Sequence, residues 1–158
     1  MKQEQIQDFT RRISQSNRGT LVVIIYEIIF AYIKDAEEGL AGDNYEDFKE
    51  GLAKAGRGVD ELIHSLDFRY EVSKDLYSLY VFVKESMAKA VIKKRTDELA
   101  DAKEVLMNLY TAFEEAAKQD HSTPLMQNTQ QVYAGMTYGK KNLTETFQDP
   151  ETSRGFFA

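Results

Sequence analysis

The chain has 158 residues, 42% of them hydrophobic, with 2 prolines, 9 glycines and no cysteine. That length suits one domain with a sizeable core, and the lack of cysteine excludes a disulfide framework, a thiolate nucleophile and a Cys-ligated zinc. A formal net charge of -6 with no basic stripe argues against nucleic acid, whose phosphates are bound by Lys and Arg, and against an anionic lipid surface.

Residues 1–15 are polar except for Ile6, Phe9 and Ile13. Their steps of three and four predict a short amphipathic helix or an arm. The opening Met1-Lys2-Gln3-Glu4-Gln5 leads into no apolar signal-peptide region, so a cytoplasmic location is expected. The most apolar stretch, Leu21 to Ile33, contains Glu27 and is shorter than the roughly 20 residues a membrane span needs. It reads as a core helix, not an inserted one.

Four longer helical patterns follow. The first starts near Asn17 or Arg18, with Ser16 or Asn17 as cap. Leu21, Ile25, Ile28, Tyr32 and Ala36 share one face, Val22 and Ile29 flank it, and Gly39 or Gly42 marks the end. The second starts at Asp43, a capping residue with Glu46 three positions on. Its stripe is Tyr45, Phe48, Leu52, Ala55, Val59, Leu62 and Leu66, alternating three and four. Gly51, Gly56 and Gly58 lie inside it, each costing about 1 kcal/mol relative to Ala, so they mark local softness or close packing. A link around Asp67-Phe68-Arg69-Tyr70 leads to the third helix, with a seam of Val72, Leu76, Leu79, Val83, Met87 and Ala90. The fourth begins at Thr96, with Asp97 and Glu98 suited to a helix N-terminus. Its seam is Leu99, Ala102, Leu106, Leu109, Phe113 and Ala117, and it stops before His121-Ser122-Thr123-Pro124.

Short links make sequential helices antiparallel neighbours. The expected architecture is all-α: an up-down four-helix bundle over residues 16–119, an N-terminal arm over 1–15 and an irregular C-terminal tail over 120–158. The tail scatters Met126, Val132, Tyr133, Met136, Tyr138, Phe147, Phe156 and Phe157 among polar residues. It cannot build a core alone, so it is either disordered or docked.

Signs of catalysis are few. Glu61-Leu62-Ile63-His64 is an E-x-x-H sequence, but a di-iron bundle needs two such motifs, and a second is absent. No nucleophile elbow, Walker loop or dinucleotide fingerprint occurs. The expectation is a protein that is not an enzyme and has no metal and no cofactor.

Surplus apolar residues are more informative. Beside the first helix's core face run Val23, Tyr26 and Phe30, and beside the third helix's seam lie Tyr77, Val81 and Ala88. Apolar arcs this wide are either covered or form a binding surface. The arm, through Ile6 and Phe9, the tail, a partner segment and a homodimer interface are the open choices. Val23, Tyr26, Phe30, Tyr77, Val81, Ile6 and Phe9 are therefore the candidate partner-binding residues.

Two stretches carry a resemblance. Ser16-Asn17-Arg18-Gly19-Thr20-Leu21-Val22-Val23-Ile24-Ile25-Tyr26-Glu27 resembles the first long helix of the flagellar export chaperone family, FliS, which usually reads Ser-Pro-Gly and then a Leu-rich run ending in Leu-Tyr-Asp-Gly. Here Asn17-Arg18-Gly19 replaces Ser-Pro-Gly, and Glu27-Ile28 replaces Asp-Gly. Ile63-His64-Ser65-Leu66-Asp67, followed by Asp75-Leu76-Tyr77-Ser78-Leu79-Tyr80, resembles that family's Ser-Leu-Asp and Asn-Leu-Tyr-x-Leu-Tyr. Ala90-Val91-Ile92-Lys93-Lys94 and the stretch from Leu106 to Ala116 continue the likeness, which covers about Ile13 to Ala117. The resemblance implies a cytoplasmic four-helix bundle that binds the disordered C-terminal segment of flagellin. It would prevent premature polymerisation and deliver the client to the export gate.

Overall fold

Asn17 lies at the end of an extended backbone step. Its side-chain oxygen accepts the Thr20 N–H at 2.9 Å, and Thr20 Oγ1 accepts the Asn17 N–H at 2.9 Å. This reciprocal cap satisfies donors that a helix start leaves unpaired, and the longest helix begins there. A computed structural model describes residues 1–127. In chain order it contains α1 (Gln3–Ser14), α2 (Arg18–Ala41), α3 (Tyr45–His64), α4 (Val72–Lys93) and α5 (Ala100–Lys118), with a 3-10 turn at Asp97–Leu99 leading into α5.

Helices α2 to α5 close a ring in which α2 and α4 each pack against both α3 and α5. Every neighbouring pair with contacts along its length is antiparallel. Ala36 meets Gly51 and Ile29 meets Gly58. Tyr45 Oη donates to the Val91 carbonyl at 2.9 Å, and Asp60 pairs with Lys84. Glu37 pairs with Lys103 at 2.8 Å, and Gly19 N–H donates to Asp120 Oδ2 at 3.0 Å. The architecture is the all-helical bundle expected from the periodicity.

The α3 seam is as read: Phe48, Leu52, Ala55, Val59 and Leu62 are buried, with Tyr45 and Leu66 half-buried. The α5 seam holds too, with Leu99, Ala102 and Leu106 buried and Leu109, Phe113 and Ala117 half-buried. The other two helices are rotated from expectation. On α2 the core face is Tyr26, Ile29, Ile33 and Ala36, while Leu21, Ile25, Ile28 and Tyr32 are only half-buried. On α4 the buried positions are Ser73, Tyr80, Val83, Met87 and Ala90, and Val72 and Leu79 stay 58% and 36% exposed. Two caps also differ. Asp43 has φ 57° in the left-handed region, and Asn44 instead caps α3 by accepting the Asp47 N–H at 3.1 Å. Thr96 makes no side-chain cap; its carbonyl accepts the Leu99 N–H at 2.9 Å and opens the 3-10 turn.

Residues 1–15 fold back as α1 along α2: Arg12 pairs with Glu27, and the Met1 amine with Asp35. No residue of α1 is fully buried. After α5 the chain is stitched to the α1–α2 turn. Asn17 Nδ2 donates to the carbonyls of Asp120 and Ser122 at 3.2 and 3.3 Å, and Leu125 N–H donates to the Ser16 carbonyl at 2.9 Å. Hydrogen bonds from the Ser122 hydroxyl, the Ser122 N–H and the Gly19 N–H hold the Asp120 carboxyl below its usual range. Val132, Tyr133, Met136, Tyr138, Phe147, Phe156 and Phe157 lie outside the described residues.

Close approach of α2 and α3 explains one interior glycine in particular. A Cβ on Gly51 would stand 2.8 Å from Ala36 Cβ and 2.9 Å from Ala36 N, so two helix backbones meet there. Gly56 has nothing within 4 Å of that position. Gly51→Ala is expected to destabilise the fold, because overpacking of about 1–3 kcal/mol outweighs the gain of about 1 kcal/mol in helix propensity. Gly56→Ala is expected to stabilise it by up to about 1 kcal/mol. Urea unfolding of the two variants against the parent measures both signs.

Candidate functional site

The bundle centre holds two tyrosines. Tyr26 of α2 and Tyr80 of α4 are both buried, and their hydroxyls share a hydrogen bond of 2.6 Å across the ring of helices. Burial raises both phenol pKa values, for Tyr26 reinforced by its hydrogen bond to Tyr80 and for Tyr80 partly opposed by that bond. The Tyr26 ring stacks on Phe113 at 5.7 Å and meets the edge of Tyr110 at 6.5 Å; Phe30 meets Tyr110 edge-on at 5.9 Å. Such pairs add about 0.5–1.5 kcal/mol beyond area burial. The line Val23, Tyr26, Phe30 is therefore not an outward surface. Val23 and Tyr26 are buried and Phe30 is half-buried against α5, because the α2 core face is turned towards this line.

Above this cluster α1 is held by charge. Both guanidinium nitrogens of Arg12 reach Glu27, one at 2.9 Å, and Arg12 also lies 5.8 Å from the Phe9 ring centroid. The hydrogen bond to Glu27 raises the Arg12 pKa. Tyr110 sits beside this pair: desolvation first, then the charge of Glu27, raises its pKa, with Arg12 opposing. Of the two arm residues singled out, Phe9 is half-buried and Ile6 is 40% exposed.

The open apolar surface lies on α4. Tyr77 is 44% exposed and touches only the rim, its ring edge-on to Phe68 at 5.9 Å; Val81 is half-buried. Val72, Leu79 and Phe82 follow at spacings of seven and three, and Phe82 is 37% exposed. Phe68 and Tyr70 extend the surface at the α3–α4 corner. The sequence reading picked out Tyr77 and Val81 but placed Val72 and Leu79 in the core and passed over Phe68 and Phe82. The signal available was Tyr80: a buried tyrosine needs a partner for its hydroxyl, and the alternative seam Ser73, Leu76, Tyr80, Val83, Met87, Ala90 keeps the same alternation.

Among the described residues no three His, Asp or Glu side chains are grouped to hold a metal, and no helix is long and apolar enough to cross a membrane. Glu61 and His64 are both exposed. An α4 surface of this kind on a helical bundle offers packing to another chain. The family described as Flagellar protein FliS matches residues 1–120. The chain belongs to the FliS family. A relative, the "Flagellar secretion chaperone FliS" of Bacillus subtilis (strain 168), is 23% identical over 108 residues, which span 68% of this chain and 81% of the relative. The match ends where α5 ends, so residues 121–158 lie beyond the family's common part.

Tyr26→Phe is expected to cost about 1–3 kcal/mol, because it leaves the Tyr80 hydroxyl buried without a partner. The double change Tyr26→Phe with Tyr80→Phe should recover much of that loss, which a double-mutant cycle in urea measures. The same pair sets an alkaline limit. Unfolded tyrosines ionise near pH 10, whereas the folded protein keeps Tyr26 and Tyr80 neutral. Their contribution is thus complete below about pH 10 and lost as pH rises beyond it. Unfolding at pH 11 should be easier in the parent than in the double variant, relative to each at pH 8.

Removing the α1 anchor tests a second feature. Arg12→Ala should cost about 1 kcal/mol or less globally, because the pair is partly solvated. Amide exchange over Gln3–Ser14 should accelerate while the α3 and α5 amides keep their protection; equal change everywhere would show that α1 opens only with the bundle.

Proposed function

We propose that the protein is a cytoplasmic flagellar export chaperone that binds the disordered C-terminal segment of flagellin. In this reading it shields that segment from premature assembly and presents the complex to the export gate. The observation that carries it is an exposed apolar and aromatic face on α4, centred on Tyr77, Leu79 and Phe82, in a chain of the FliS family. An amphipathic segment laid on such a face uses helix-in-groove recognition. The client orders as it binds, which costs about 2–5 kcal/mol of the gross interaction and keeps the complex releasable. Val23 and Tyr26 take no direct part, since both are buried in the free protein. Ile6, Phe9, Phe30 and Val81 border the accessible surface and contribute at its margin.

The test is calorimetric titration with the C-terminal flagellin segment of the source organism. Binding at micromolar concentration or tighter is expected. Tyr77→Asp and Leu79→Asp should each weaken it at least tenfold, about 1.4 kcal/mol, while stability changes little, because both side chains already face water. No binding by the parent protein would reject the reading. Light scattering covers the second possibility: a stable dimer that Leu79→Asp dissociates would assign the α4 face to another copy of the chain.

A further inference from the structure

Three glycines interrupt α3, and two are accounted for inside the bundle: Gly51 admits Ala36, and Gly58 admits Ile29. Gly56 is different. No heavy atom lies within 4 Å of where its Cβ would stand, and it opens onto a groove of about 300 Å³ between α3 and α4. Leu52, Ala53, Met87, Ala88 and Val91 give this groove apolar walls, and small residues keep it open. A single water occupies about 30 Å³ of the liquid, so the space suits side chains.

Charge narrows the occupant. The rim carries Lys49, Arg57 and Lys84 against one carboxylate, Asp60, on a chain whose net charge is -6. Lys84 is paired with Asp60 and Lys49 with Glu46, whereas Arg57 makes no ion pair among the described residues. A helix-interior glycine costs about 1 kcal/mol relative to Ala, and nothing within the described chain uses the space that Gly56 leaves. The groove thus combines apolar walls, an unfilled floor and an unneutralised guanidinium.

We propose that the α3–α4 groove receives an amphipathic helix of the exported client, whose apolar side chains enter over Gly56 and whose flanking carboxylates face Arg57. This rests on the chaperone reading above and adds a second contact surface to the α4 face. Arg57 acts as the selective element: an apolar helix without acid residues leaves the guanidinium unpaired, and one with basic residues is repelled. Attraction of this kind is screened over a Debye length of about 8–10 Å near physiological salt, so it weakens as salt is added.

The experiment titrates the C-terminal flagellin segment into full-length parent protein, Gly56→Leu and Arg57→Glu, each first checked by thermal melting. Gly56→Leu fills the groove from α3; Ala88→Leu fills it from α4 and replaces it should Gly56→Leu lose its melting transition. The expected result is at least tenfold weaker binding on filling the groove. Arg57→Glu should weaken binding several-fold at low salt, with the difference shrinking at 0.5 M salt. If the parent binds and the filled and charge-reversed variants match it within twofold, the groove inference is overturned while the chaperone reading stands. If the parent itself does not bind, both fall. A parent dimer that Gly56→Leu converts to monomer would also overturn the inference, by giving the groove to a second copy.

Discussion

Two phenol hydroxyls in an otherwise apolar core have few ways to be satisfied. Tyr26 and Tyr80 solve the problem with each other, across the diagonal of the bundle. An unpaired buried hydroxyl costs about 1–3 kcal/mol, so this bond fixes the rotation of both helices that carry it. On α4, turning Tyr80 inward places its neighbours Leu79 and Tyr77 towards solvent. On α2, turning Tyr26 inward brings Ile29, Ile33 and Ala36 into the core and leaves Ile25 and Ile28 at the margin. The exposed apolar face of α4 is thus a consequence of a polar contact in the interior.

The bundle is not equally tight around its ring. At the α2–α3 seam, Ala36 and Gly51 bring two backbones together, and at Gly39 an added Cβ would stand 2.8 Å from Asp47 Cβ. Between α3 and α4 the contacts are looser: Asp60–Lys84 and Tyr45–Val91 bridge the ends of a groove that Gly56 and Ala88 leave unfilled. Packing at native density elsewhere means that such an opening is not averaged away by neighbouring side chains. Rigidity on one seam and room on the next let a binding surface exist without loosening the fold.

Much of this was readable before any coordinates, and the failures share one cause. Helix α3 is strongly amphipathic, with polar residues between its seam positions, so the pattern fixed its orientation and Phe48 to Leu62 fell where expected. Helices α2 and α4 carry apolar residues nearly all round, and a pattern without a polar face leaves the rotation undetermined. Tertiary contact decided it, through a hydroxyl pair 54 positions apart in the chain. The open site suffered accordingly: Tyr77 was legible as surplus, but Leu79 and Val72 passed as core. Gly19 shows the opposite case, a residue noted only for its resemblance to a family motif. A Cβ there would lie 2.8 Å from the Asp120 carboxylate and 3.3 Å from Ala117 Cα, so the glycine lets the end of α5 close on the start of α2.

Helix α1 differs from the others in what holds it. It buries no residue completely, and its defining contacts are ionic, from Arg12 to Glu27 and from the Met1 amine to Asp35. Partly solvated pairs contribute about 1 kcal/mol or less, whereas each fully buried side chain of the core contributes about 1.5–3 kcal/mol. Opening α1 therefore costs a small part of what unfolding the bundle costs, and the two processes are separable. The contact is not independent of the core, however. Glu27 lies one residue after Tyr26, and Tyr110, whose ring meets both Tyr26 and Phe30, feels the charge of Glu27. The ion pair thus sits directly over the aromatic cluster that locks α2 to α5. An event that draws Arg12 away leaves Glu27 unpaired above Tyr110 and bares the outer edge of Phe30, yet leaves the Tyr26–Tyr80 bond in place. The molecule has a rigid centre set by one hydrogen bond and a detachable layer set by charge, and the boundary between them falls between residues 26 and 27.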